Sequence, residues 1–115
     1  MLISAIILFI IAAIFGLIIL TAILKNKPTP KPIVFIHGPL AAIALILVII
    51  NMVMQGASTL LITSVVLFIL AALGGLTLFT IDMRNKPIPK LLAMLHPLLA
   101  VAGLIVLIIY VLQSQ

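Results

Sequence analysis

The sequence predicts an all-α integral membrane protein, a four-helix bundle built from two tandem transmembrane helical hairpins. Three observations predict it. Four apolar runs each exceed the ~20 residues that a helix needs to cross a hydrocarbon core of ~30 Å. The chain of 115 residues is 67% hydrophobic, with six Lys or Arg and one Asp, too few charges for the polar shell of a water-soluble domain. The second half of the sequence also repeats the first.

The first run spans residues 2–24. It has no basic residue ahead of it and no convincing cleavage site, so it reads as a retained span and not as a secretory signal. A basic loop follows, residues 25–32, stiffened by Pro28, Pro30 and Pro32. Pro32 suits the first turn of the next helix, where its missing N–H has no partner to lose. The second run covers 33–54, and an uncharged connection, Gln55-Gly56-Ala57-Ser58-Thr59, leads into the third at 60–81. A second basic loop, 83–90, precedes the fourth run at 91–112. Inside lipid each backbone must satisfy its own hydrogen bonds, so runs of this length form helices. Strands of a membrane barrel would be shorter and would alternate with polar residues.

The cations set the topology. Lys25, Lys27 and Lys31 lie in the first basic loop; Arg84, Lys86 and Lys90 lie in or beside the second. The positive-inside rule puts both loops on the cytoplasmic side of the inner membrane and both termini outside. Contact with anionic lipid headgroups accounts for the basic charge better than nucleic acid does. No cysteine is present, which excludes disulfides and thiolate chemistry.

Residues 1–56 lie over 60–115 without a gap, and more than a third of the positions are identical. Asn26-Lys27-Pro28-Thr29-Pro30-Lys31 matches Asn85-Lys86-Pro87-Ile88-Pro89-Lys90, and Gly16, Thr21 and His37 match Gly75, Thr80 and His96. Apolar helices resemble one another by chance, but a shared loop and a shared histidine point to duplication. Two spans per copy make the copies parallel, related by a pseudo-two-fold axis along the membrane normal. Short loops then give an up-down-up-down bundle forming one membrane domain, with the second and fourth helices diagonal.

Few residues within the spans can carry chemistry: His37, His96, Asp82, Asn51, Tyr110 and some hydroxyls. No Ser-His-Asp set, carboxylate pair or phosphate-binding glycine loop occurs, a weak inventory for an enzyme. Each histidine lies six residues beyond a loop lysine, about 9 Å along the helix. An ionisable residue at that depth is a functional candidate. If His37 faces the axis, so does His96, and two imidazoles in an apolar core suit axial ligation of haem b.

On that reading His37 and His96 are the metal ligands. Gly16 and Gly75 admit a porphyrin face, helped by Ala41, Ala44, Ala100 and Gly103 on the histidine helices. Thr21 and Thr80 accept from the non-ligating ring N–H, and Lys31, Lys90 and Arg84 meet the propionates. Competing structural readings exist for all of them. Small residues let membrane helices approach closely, threonines bond their own helix backbone, and a histidine can simply link neighbouring helices. Pro39 and Pro97 remove helix hydrogen bonds and bend their segments. Asp82 stands where the first copy has Ile23 and is expected to be offset by Arg84, two residues away; the alternative reading is a proton donor or acceptor near a cofactor. Tyr110 fits the aromatic belt at the membrane boundary.

The four-span length resembles that of the small multidrug-resistance transporters, but their membrane-buried glutamate has no counterpart in the first span. The Lys-Pro loop followed by His37-Gly38-Pro39-Leu40-Ala41 is similar to small bacterial four-helix membrane proteins of uncharacterised function. The paired histidines resemble bundle-type b cytochromes in architecture alone. The leading expectation is therefore a b-type cytochrome-like protein binding one haem, with electrons passing to a quinone pool or a redox partner complex. A non-catalytic scaffold or accessory subunit with packing histidines is the alternative, and a small transporter a third. Histidines facing outward instead would suit a homodimer.

Overall fold

The computed structural model describes residues 1–114. Four helices follow one another: α1 (Leu2–Leu24), α2 (Lys31–Gln55), α3 (Thr59–Met83) and α4 (Lys90–Gln113). No strand occurs among the described residues. All four helices are long and apolar enough to cross a membrane, and the chain is a multi-pass membrane protein. Large side chains such as Leu17, Val53, Leu76 and Leu91 lie exposed on the outside. In water that surface would force aggregation; in a bilayer it is the solvated face.

Local chemistry explains where the helices stop. After α1, Asn26 turns left-handed with φ 56°, and after α3 Asn85 does the same with φ 56°. Asparagine visits this region more readily than other residues bearing a Cβ. The turn lets the Lys27 N–H bond the Ala22 carbonyl at 2.9 Å and the Asn26 N–H bond the Ile23 carbonyl at 3.1 Å. Lys86 to Ile81 and Asn85 to Asp82 repeat the pattern at 3.2 and 3.0 Å. These are Schellman closures, which satisfy carbonyls that the helix end would otherwise strand. Pro28 and Pro87 follow at once and prevent resumption of the helix. At the opposite end α2 stops at Gly56 with φ 98°, and Ser58 caps α3 by accepting from the Leu61 N–H at 3.2 Å.

Around the bundle α1 packs most closely on α2 and α3 on α4, while α1 with α4 and α2 with α3 close the ring. The diagonals are α1–α3 and α2–α4. Packing is uneven along the bundle. Ala5, Phe9, Ala44, Val48, Leu61, Val65, Phe68 and Leu107 form one buried cluster, and all of them lie in the half nearer the termini. Across the α1–α3 diagonal the rings of Phe9 and Phe68 stack face to face, with centres 3.9 Å apart and planes 4° from parallel. Beside them Ser64, fully buried, donates to the Gly103 carbonyl at 2.9 Å and ties α3 to α4. Lipid is as apolar as leucine, so such close packing and interhelical bonds hold the helices together.

Candidate functional site

Toward the basic loops the packing opens. An apolar cavity of about 850 Å³ lies between the helices, with Phe9 and Phe68 among its lining at one end and Thr29, Asp82 and Ile88 at the other. Both histidines line it. Their rings approach across the α2–α4 diagonal with centres 6.1 Å apart and planes at 89°. Both side chains point inward.

Each imidazole is anchored the same way. His37 Nδ1 lies 2.8 Å from the Ala12 carbonyl oxygen, and His96 Nδ1 lies 2.7 Å from that of Ala71. A carbonyl only accepts, so Nδ1 carries the hydrogen and donates it. In a neutral ring Nε2 then keeps its lone pair. No hydrogen bond engages either Nε2 among the described residues.

The glycines explain how the rings reach those carbonyls. A Cβ on Gly16 would stand 3.0 Å from His37 Cε1, and one on Gly75 would stand 2.9 Å from His96 Cε1. Ala12 with Gly16 and Ala71 with Gly75 are thus pairs of small residues one turn apart that open a notch in the neighbouring helix. Gly16 and Gly75, expected to admit a porphyrin face, line the cavity, each with an imidazole standing against it. Ala41 and Ala100 do border the cavity. Ala44 is buried in the packed half, and Gly103 lies under the Phe68 ring, where a Cβ would stand 3.2 Å from it.

The expectation for the threonines is corrected. Thr21 donates to the Leu17 carbonyl at 2.8 Å and Thr80 to the Leu76 carbonyl at 2.9 Å, both on exposed helix faces. The ring N–H partners are main-chain carbonyls, which side-chain identity does not announce.

No family model, curated protein or solved structure matches this chain.

At the loop end Lys31, one of the three expected propionate partners, is engaged within the protein. Its Nζ lies 2.8 Å from Asp82 Oδ2 and 2.6 Å from Thr29 Oγ1, and the Thr29 hydroxyl donates to the same Asp82 oxygen at 2.7 Å. Asp82 is therefore paired by Lys31 from the other copy of the loop and not by Arg84. Lys90 and Arg84 are exposed, and neither lines the polar pocket of about 400 Å³ that lies between the two loops. Among the described residues no group of three or more metal-ligating side chains gathers. The titratable side chains that line the cavity are the two imidazoles and Asp82.

Proposed function

We propose that this protein is a small b-type cytochrome-like electron carrier that binds haem between His37 and His96. The observation that carries the reading is the histidine pair itself, anchored through Nδ1 with ring centres 6.1 Å apart. At that separation His37 and His96 would be the residues that hold one haem between them. Two protein ligands leave a bare transition metal short of donors. They would instead suit a haem, which brings further nitrogen donors of its own. The cavity of about 850 Å³ falls in the ~300–1,000 Å³ range of cofactor sites. Carbonyl anchoring of Nδ1 is the outer-shell contact that orients a ligating histidine and raises its basicity.

When bound, the haem supplies one-electron chemistry. The chain holds both imidazoles through Nδ1 and surrounds them with largely apolar walls. We further propose that the two copies of the repeat are related by a pseudo-two-fold axis along the membrane normal. The equal φ of Asn26 and Asn85 and the matching histidine anchors support it. In our reading the basic loops face the cytoplasm, the termini face outward, and the electron partners are a quinone or a redox complex.

A second reading has its own observation. Each histidine already fills a glycine notch and bonds a neighbouring helix, so the pair can serve as two interhelical staples in a scaffold or accessory subunit. Absorption spectra of the detergent-purified protein, expressed with haem supply, separate the two. The cytochrome reading expects a Soret band and sharp reduced α and β bands, abolished by His37→Ala or His96→Ala. A colourless protein that stays colourless on haem titration would sink it and leave the staples.

A further inference from the structure

The polar pocket between the loops is lined by two copies of one tripeptide, Asn26-Lys27-Pro28 and Asn85-Lys86-Pro87. Lys31 and Asp82 also line it, but they are paired with each other at 2.8 Å. Lys27 and Lys86 line it too, and neither has an acidic partner among the described residues. The pocket also continues into the apolar cavity, because Ile23, Thr29, Asp82 and Ile88 line both. An apolar chamber opening onto a doubly cationic one describes a site for an amphipathic ligand with two negative charges at one edge.

We infer that the pocket between the loops is an anion site that takes the two propionate carboxylates of the haem, with Lys27 and Lys86 as their counter-ions. The inference rests on the haem reading and deepens it. The charges match, two ammoniums for two carboxylates, and the Asn26 and Asn85 carboxamides add donors. The residues differ from those that loop position alone suggested. Lys31 is spent on Asp82, and Lys90 and Arg84 lie off the pocket lining. The left-handed turns at Asn26 and Asn85 end α1 and α3 one residue before these lysines. The same turn chemistry therefore sets both cations at the rim.

The test titrates the full-length protein in detergent with haem b and with haem b dimethyl ester, whose propionates carry no charge. Lys27→Gln, Lys86→Gln and their double variant are compared with Lys25→Gln, whose cation does not line the pocket. Each pocket lysine should weaken haem b binding about five- to tenfold and the pair roughly fiftyfold, as expected for charge-assisted contacts at a partly exposed site. The ester should bind wild type about as weakly as haem b binds the double variant, and should not respond to either lysine. An ester that binds wild type as tightly as haem b overturns the inference while the bis-histidine spectrum stands. Lysine effects of equal size on both ligands overturn it as well. If neither compound binds, the haem reading fails and this inference fails with it.

Discussion

Substituting Gly75 by alanine tests the central geometry most directly. The new Cβ would stand 2.9 Å from His96 Cε1, well inside the ~3.5–4.0 Å at which carbon atoms attract. The ring has little freedom to retreat. Its Nδ1 is held 2.7 Å from the Ala71 carbonyl, and His37 stands across the diagonal. Relief requires lengthening that bond or displacing the opposite ring. Overpacking of this kind costs about 1–3 kcal/mol, and a lost hydrogen bond adds about 1 kcal/mol. Alanine also favours the helix over glycine by roughly 1 kcal/mol, which complicates a single measurement. Gly38→Ala supplies the reference, because nothing lies within 4 Å of a Cβ there. Both variants gain the helix term, so their difference isolates the contact, expected at about 2–4 kcal/mol. Reversible unfolding in mixed micelles with rising SDS, followed by circular dichroism, measures it. Stabilities equal within about 0.5 kcal/mol would refute the anchored-ring geometry.

Other contacts yield further expectations. Ser64→Ala removes the bond to the Gly103 carbonyl and should cost about 1 kcal/mol in the same unfolding assay. Phe68→Ala breaks the stack with Phe9 and hollows the packed half; a loss of roughly 3 kcal/mol is expected, and xenon should occupy the new space in a crystal. Asp82→Asn removes the ion pair with Lys31, whose side chain is 43% exposed. A stability change under about 1 kcal/mol is expected, while haem b affinity should rise several-fold in titration because one negative charge leaves the anion pocket.

Much of the fold was legible because lipid imposes length. Residues 2–24 were read as the first span and form α1 as read. The other helices run one to two residues beyond the apolar runs at each end. Lys31-Pro32 and Lys90 enter the first turns because proline and a long cation are tolerated there. Side-chain direction was not legible, because every face of these helices is apolar and none advertises its neighbour. The anchors of the histidines were missed because a carbonyl belongs to every residue. One signal did exist, the small residues at 12 and 16 repeated at 71 and 75. The Thr29–Lys31–Asp82 cluster joins residues more than fifty positions apart, beyond what local spacing can reveal.

The stacked rings of Phe9 and Phe68 divide the molecule into a solid half and a hollow half. A bundle built this way behaves like tweezers fused at one end. The dense half holds the four helices in register. The hollow half has fewer contacts to lose, so it can part at its rim while the packed half holds. The fused end also blocks the path from chamber to the terminal side. Ions and water would meet a dry wall there.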